Sequence, residues 1–243
     1  MNLLQEAFRY LNDPFNWTRT NGIFDLLVQH LQISVTAVLA AMVVGIPAGA
    51  LLGHTGRGGG FTVALSNVSR AVPTLALLTV FAVTPIGFGP RATTIALAVF
   101  ALPPVLTNTY VGFREVDRDV REAARAMGMS RGQMLARVEF PLALPLVTTG
   151  VRTAAVQVVA TATLAALVGG GGLGRIINLG FGQQDYGEIL AGAVLVAGLA
   201  LLTELLLVLV STAVTPGPRR WPLRPVRAAR AGEPEPTSSG VPL

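Results

Sequence analysis

The sequence REVDRDVREAARAMGMSRGQMLARVEFPLALP, from Arg114 to Pro145, is the longest strongly charged run in an otherwise apolar chain. Six arginines alternate there with five acidic residues. Apolar segments long enough to cross a bilayer lie on both sides of the run. We therefore expect a water-facing loop between membrane spans, with secondary structure of its own.

The first half of this run predicts a short amphipathic helix. Asp119 followed by Glu122 fits a capping box, in which two acceptor side chains three residues apart satisfy backbone amides at the helix start. Gly128 is placed to end the helix in the left-handed conformation. A narrow apolar face, made mostly of alanine, is formed by Val120, Ala123, Ala124 and Met127. Alanine allows a partner surface to come close.

The second half of the run predicts another helix. Ser130 followed by Gln133 repeats the capping signal. Pro141 has no backbone N–H, so we expect this helix not to continue much past Phe140. The loop, residues 114–141, is thus predicted to be two short helices joined by a sharp corner.

The spacing of residues in the loop resembles a known family pattern. That pattern reads E-A-A, three residues, G, nine residues, I, one residue, then L-P. The matching positions are Glu122, Ala123, Ala124, Gly128, Val138, Phe140 and Pro141. Val and Phe replace the pattern's Ile and Leu, which are both apolar exchanges. The loop is similar to the EAA loop of permease subunits of binding-protein-dependent ABC importers.

In that family the EAA loop is the cytoplasmic coupling helix, which docks in a groove of the ATPase subunit. The resemblance implies an all-α integral membrane protein with the fold of a type I ABC importer permease. It also implies a set of residues that couple the chain to the ATPase, namely Glu122, Ala123, Ala124, Gly128 and Pro141. The alternative is an ordinary amphipathic loop between spans, because E-A-A alone is a weak signal.

The composition is that of an integral membrane protein. Of the 243 residues, 51% are hydrophobic and only 13% are charged. All 18 basic residues are arginine, so the chain lacks the lysine with which a P-loop binds phosphates. With no cysteine, no disulfide or Cys-ligated metal is expected. We predict no catalytic site, cofactor or metal; ATP and Mg²⁺ would be bound by a partner subunit.

We predict a bundle of about five, possibly six, transmembrane helices. Five apolar segments approach the ~20 residues needed to cross ~30 Å of hydrocarbon. These segments are residues 26–52, 61–83, 92–109, 142–168 and 189–214. They lie in a permease domain, residues 23–215. Residues 1–22 are expected to form an interfacial segment on the bilayer, with a flexible tail as the alternative.

The distribution of arginines predicts the orientation in the membrane. If the charged run is cytoplasmic, twelve arginines fall inside, four outside and two within spans. This obeys the positive-inside rule and places the N-terminus outside and the C-terminus in the cytoplasm. The pI near 10.9 therefore reflects topology rather than nucleic-acid binding. Residues 216–243 are predicted to be a disordered basic tail that contacts anionic lipids.

Three ionisable residues lie deep within predicted spans, where a charge is unfavourable without a partner. They are Arg70, Arg152 and Glu204. We predict that Glu204 pairs with Arg152 or Arg70 in the bundle interior, as a structural ion pair or as a gate on a substrate path. Amide side chains are also unfavourable to bury in lipid, and the amides that could line such a path are Asn67, Asn108 and Gln157.

Further stretches resemble permeases for glycine betaine, choline and related osmoprotectants. They are QHLQISVTAVLAAMVVGIPAGALLGHTGRG (29–58), SRAVPTLALL (69–78), LPPVLTNTYVGFREVDRDVREAARAMGMS (102–130) and GGGGLGRII (169–177). The resemblance covers about Leu3 to Val214. It implies an importer of glycine betaine, choline, carnitine or proline betaine in the bacterial cell membrane.

The same resemblance implies several partners. They are two cytoplasmic ATPase subunits, a second permease subunit in a homodimer or heterodimer, and an extracytoplasmic substrate-binding protein. The glycine-rich run Gly169–Gly187, with Asp185 and Glu188, is a candidate docking surface for the binding protein. The few aromatic residues suggest that the binding protein, rather than this chain, selects a quaternary ammonium substrate.

Three function classes are weighed against these observations. An ABC-importer permease explains the loop, the topology and the missing ATP site together, and a permease for another small solute, such as an amino acid, would carry the same loop. A secondary transporter would use the buried charges as an ion path, but it leaves the loop spacing unexplained. A membrane enzyme is disfavoured because the chain contains no HExxH, no GxSxG and no cluster of carboxylates.

Overall fold

The computed structural model describes residues 2–214, apart from the side chains of Val63 and of residues 68–70. This part of the chain is helical and contains no strand, which confirms the predicted all-α class. In chain order the α-helices are α1 (Leu3–Asn12), α2 (Pro14–Thr18), α3 (Ile23–Thr55), α4 (Gly59–Ala71), α5 (Thr74–Val83), α6 (Pro90–Arg114), α7 (Arg118–Ala126), α8 (Arg131–Met134), α9 (Phe140–Thr161), α10 (Gly174–Gln183) and α11 (Tyr186–Val214). A π-helical turn, Leu135–Glu139, joins α8 to α9, and a 3₁₀ segment, Ala162–Val168, follows α9.

Helices α3, α6 and α9 form the centre of the bundle, and α6 packs against both of the others. Gly45, Gly49 and Gly53 recur every four residues on α3 and face α6. A Cβ atom on Gly49 would lie 2.6 Å from the carbonyl oxygen of Leu106, which is closer than van der Waals contact allows. The small residues therefore let the two backbones approach closely, as in other membrane bundles.

Four helical segments among the described residues are long and apolar enough to cross a membrane. They are Ile23–Thr55, Pro90–Arg114, Arg131–Val168 and Tyr186–Val214. The predicted second span, residues 61–83, is instead divided into α4 and α5 at Val72 and Pro73. Pro73 has no N–H and restricts the backbone of the residue before it, so one straight helix cannot run through this point.

The N-terminal helix packs on the first turns of α11. Ala7 is buried there, whereas Leu4 and Phe8 stay exposed on α1. The buried residues of α11 end at Val196, and most of the leucines beyond it are exposed. The predicted tail, residues 216–243, lies outside the described residues.

Candidate functional site

The charged loop forms the predicted helix α7, but its N-cap is Asp117 rather than Asp119. The Asp117 carboxylate accepts a hydrogen bond from the Asp119 backbone N–H at 2.8 Å. The carboxylate of Glu122 pairs with Arg118 at 2.8 Å on the exposed side of the helix and does not form a capping box. The two aspartates offer the same capping signal, and the chain uses the earlier one.

Gly128 ends α7 as predicted. Its φ of +79° is in the left-handed region, which favours glycine. The Gly128 N–H donates to the Arg125 carbonyl and the Met129 N–H donates to the Ala124 carbonyl, which is the Schellman arrangement of a helix C-terminus. The chain therefore turns a sharp corner immediately after the E-A-A residues.

The second helix of the loop begins as predicted but does not end as predicted. Ser130 and Gln133 form a complete capping box at the start of α8. Pro141 was expected to stop the helix near Phe140, but the chain continues through the π turn into α9. Pro141 follows the π turn directly, where the helical hydrogen-bond register changes, and the helix continues past the proline.

The predicted apolar face of α7 is divided between the bundle and the outside. Ala124 is buried against the rest of the chain, whereas Ala123 is exposed, as are Val120 and Met127. Glu122 is also exposed beside Ala123. The described chain thus leaves an apolar surface with a carboxylate beside it, available to a partner.

Behind α7 lies a buried cluster of charged and polar side chains that the sequence did not reveal. Glu139, the last residue of the π turn, is fully buried. One carboxylate oxygen lies 2.6 Å from His54 Nδ1 and the other lies 3.2 Å from Arg121 Nε. The contact with Arg121 is an ion pair without hydrogen-bond geometry. Removing one member of such a buried pair costs about 3–5 kcal/mol, because the other charge stays buried.

A polar cavity of about 580 Å³ opens at the break between α4 and α5. Its volume is in the ~300–1,000 Å³ range of small-molecule sites. It is lined by Ser66, Val72, Pro73, Thr74, Phe100, Pro104, Thr107, Asn108, Thr153 and Gln157. The Thr107 hydroxyl is buried without a hydrogen-bond partner. The cavity therefore offers amide and hydroxyl groups together with one aromatic ring, and none of the described residues that line it is charged.

The cavity brings together two of the three predicted amides. Asn108 and Gln157 both line it, and Asn108 Nδ2 donates to the Pro104 carbonyl at 2.8 Å. Asn67 is exposed on α4 and does not line the cavity, although its neighbour Ser66 does. The side chain of Arg70 lies outside the part of the chain that the structure describes.

The predicted ion pair between Glu204 and Arg152 is present. Arg152 Nε lies 3.5 Å from Glu204 Oε1. The side chains are 34% and 42% exposed, so the pair does not lie in the bundle interior as predicted. The reason is the peripheral position of α11, on which no residue after Val196 is buried.

At the other end of the bundle, the glycine-rich run and the N-terminal helices enclose a second polar cleft of about 710 Å³. The Tyr10 hydroxyl donates to Glu188 and accepts from Arg19, each at 3.2 Å. Burial raises the pKa of the Tyr10 phenol above its ordinary value, and the Glu188 carboxylate raises it further. Asp185 accepts from the Glu188 backbone N–H and caps the start of α11. The predicted docking residues Asp185 and Glu188 therefore lie together beside this cleft, with Glu188 buried.

His30, on α3, is fully buried in the bundle. Its Nε2 lies 2.9 Å from the Val159 carbonyl, and its Nδ1 accepts from the Leu173 N–H at 3.3 Å. With both nitrogens engaged in this way, His30 holds the start of the glycine-rich run against α9.

A helical membrane bundle with a charged two-helix loop and a polar cavity is typical of a permease subunit of a transport complex. Over residues 24–219 the chain matches the family described as binding-protein-dependent transport system inner membrane component, and it belongs to that family. The resemblance seen in the sequence is thereby confirmed.

Several known transport proteins are similar to this chain in sequence or in structure. The chain is 38% identical over 204 residues to the carnitine transport permease protein OpuCB of Listeria monocytogenes, covering 84% of this chain and 90% of the relative. It is 34% identical over 209 residues to the glycine betaine/carnitine/choline transport system permease protein OpuCB of Bacillus subtilis, covering 85% and 95%. A structure of the inward-facing MetNI methionine ABC transporter matches with a TM-score of 0.70 at 24% identity, covering 84% of this chain and 100% of that chain. This likeness confirms the type I ABC importer permease fold.

Proposed function

We propose that this chain is one of two permease subunits that form the path of an ABC importer for an osmoprotectant such as glycine betaine, choline, carnitine or proline betaine. ATP hydrolysis on partner subunits would drive the transport, and the chain itself would hold no nucleotide or metal. The two relatives named for carnitine, glycine betaine and choline transport are 38% and 34% identical to it, against 24% for the methionine transporter. These identities favour an osmoprotectant over an amino acid.

The observation that carries the proposal is the shape of the coupling loop. Helix α7 buries Ala124 against its own chain and leaves Ala123 and Glu122 exposed, and Gly128 turns the chain directly after it. A short helix that packs against its own chain on one side and is exposed on the other suits docking in the groove of an ATPase. We assign coupling to Glu122, Ala123, Ala124, Gly128 and Pro141.

The polar cavity supports a path through the subunit. A broken helix that lines a polar cavity is a recurring feature of transporter sites. Asn108 and Gln157, with the unpartnered hydroxyl of Thr107, would bind the solute weakly through hydrogen bonds, while Phe100 offers a ring face to a quaternary ammonium group. Asn67 and Arg70 would lie close to this path on α4. The Arg152–Glu204 pair would act beside it as a structural support or as a gate.

The proposed orientation in the membrane follows from the distribution of arginines along the chain. The coupling loop faces the cytoplasm and the Tyr10–Glu188 cleft faces outside, where it is available to an extracytoplasmic substrate-binding protein. The exposed apolar side of α11 would contact lipid or the second permease subunit. The two polar surfaces thus lie at the two ends of the path.

The test of ATPase coupling is a pull-down of this chain from native membranes, comparing wild type with Gly128→Asp. Gly132→Asp is the matched control, because both glycines lie in the loop with open space around a Cβ and only Gly128 has a positive φ. We expect an ATPase subunit to co-purify with wild type and the control, and to be lost from Gly128→Asp. If wild type brings down no ATPase, the importer proposal is wrong.

The test of the substrate is uptake of radiolabelled glycine betaine by cells that express the complex. We expect ATP-dependent uptake, reduced about tenfold or more by Gln157→Leu, because the leucine removes a polar group from the cavity. Ala160→Leu, an exposed position one turn further along α9, serves as the control. If the cells take up radiolabelled methionine but no glycine betaine, the substrate belongs to another class.

A further inference from the structure

We propose that His54, Arg121 and Glu139 act together as the mechanical link between the coupling helix and the membrane spans, and that Glu139 is the positioning residue at its centre. This inference rests on the proposed ATP-driven function of the chain. It goes beyond that function by assigning the transmission of motion to residues outside the family pattern. Glu139 occupies the position of that pattern at which any residue is allowed.

The carboxylate of Glu139 bridges two elements that are far apart in sequence. His54 lies in the last turn of α3, and its Nδ1 is 2.6 Å from Glu139 Oε2. Arg121 lies in α7, and its Nε is 3.2 Å from Glu139 Oε1. The carboxylate is fully buried, and the side chains of His54 and Arg121 are only 15% and 13% exposed. Water therefore competes little for these contacts.

Arg121 adds a third attachment. Its Nη2 donates a hydrogen bond to the carbonyl oxygen of Phe113, in the last turn of α6. The guanidinium group is thus held between the end of α6 and the π turn that leads into α9. Helix α7 is thereby connected through Arg121 to α6 and α9, and through Glu139 to α3.

The position of the cluster suits the transmission of motion. Glu139 is the last residue of the π turn Leu135–Glu139, and π turns are rare and concentrate at functional sites. The three helices that meet at the cluster are the same three that form the centre of the bundle. A displacement of α7 by an ATPase would therefore reach all three through rigid contacts rather than through a flexible loop.

Another ion pair on the same helix does not have these properties. Arg118 and Glu122 are 2.8 Å apart, but their side chains are 89% and 55% exposed, and both belong to α7. That pair can stabilise the helix or contact a partner, but it connects α7 to no span. The buried cluster, by contrast, connects α7 to the spans.

The experiment measures the glycine betaine transported and the ATP hydrolysed by the complete complex, purified with its partner subunits and reconstituted in liposomes with its binding protein. The variants are Glu139→Gln, His54→Leu and His54→Asn. Asparagine places an N–H donor where His54 Nδ1 lies, whereas leucine removes it. Glu115→Gln, at an exposed position next to α7, is the control for loss of a carboxylate.

We expect Glu139→Gln and His54→Leu to retain ATP hydrolysis but to lower the glycine betaine transported per ATP at least tenfold. His54→Asn should restore coupling to near wild type, and Glu115→Gln should leave it unchanged. If Glu139→Gln does not assemble, the comparison of His54→Leu with His54→Asn gives the same answer.

The outcomes separate this inference from the proposed function. A merely structural role would lower the yield or the thermal midpoint of the complex while the transport per ATP of the remaining complex stayed normal, and that result would overturn the inference. If the wild-type complex hydrolyses no ATP or transports no glycine betaine, the proposed function itself is at fault. If the complex hydrolyses ATP but transports no glycine betaine, stimulation of ATP hydrolysis by the loaded binding protein replaces uptake as the measure of coupling.

Discussion

Two acidic residues of this chain differ in burial from what their neighbours in sequence would suggest. Glu139 lies in the charged loop, yet it is fully buried between His54 and Arg121. Glu204 lies in the middle of an apolar helix, yet its side chain is 42% exposed beside Arg152. The comparison teaches that the burial of a charge depends on where its helix packs, and not on how apolar its neighbours in sequence are.

The first prediction concerns the buried member of this comparison and has the largest expected effect. Glu139→Ala should destabilise the purified permease by about 3–5 kcal/mol, because Arg121 stays buried without a counter-charge. The midpoint of thermal unfolding in detergent measures this loss. The control is the triple variant His54→Phe, Arg121→Met, Glu139→Leu, which replaces the whole cluster by apolar groups and should recover most of the stability. A Glu139→Ala protein as stable as wild type would contradict the burial on which the comparison rests.

The second prediction concerns the corner that precedes the buried cluster. Gly128→Ala should cost about 1–2 kcal/mol, because an alanine is strained at the observed positive φ. This strain affects the loop rather than the spans. It should therefore weaken binding of the ATPase about tenfold, while the thermal midpoint of the bundle changes little. Quantitative pull-down at varied ATPase concentration measures this effect.

The matched control for the corner is Gly132→Ala in α8. A Cβ at Gly132 also meets nothing within 4 Å, but its backbone is helical. Alanine favours a helix over glycine by about 1 kcal/mol, so this variant should bind the ATPase as well as wild type or better. Equal losses in the two variants would show that the added methyl group, and not the backbone conformation, disturbs docking.

The sequence predicted the features of the loop that depend on residues close together in the chain. Gly128 at the corner and the capping box of Ser130 with Gln133 are interactions over a few residues, and both are confirmed. The N-cap was wrong by two residues because Asp117 and Asp119 carry the same capping side chain. Local signals identify an element more reliably than its first residue.

The features that the sequence did not predict depend on packing between distant segments. His54 and Glu139 are 85 residues apart, and Glu139 does not stand out in a loop rich in charges. The polar cavity forms only where the break at Pro73 meets Asn108 and Gln157 from two other helices. The sequence shows Pro73 within the second span, but it does not show which residues face the break.

The last prediction concerns the exposed member of the comparison and has the smallest expected effect on stability. Arg152→Gln, Glu204→Gln and the double variant form a cycle that measures the energy of the pair. Partly exposed ion pairs contribute about 0–1 kcal/mol, so each single variant should lower the thermal midpoint far less than Glu139→Ala does. A coupling as large as that of the buried cluster would mean that a second permease subunit covers α11 and removes the pair from solvent. In that case the midpoint should depend on the concentration of the dimer, and uptake by the two single variants would decide whether the covered pair is a gate or a support.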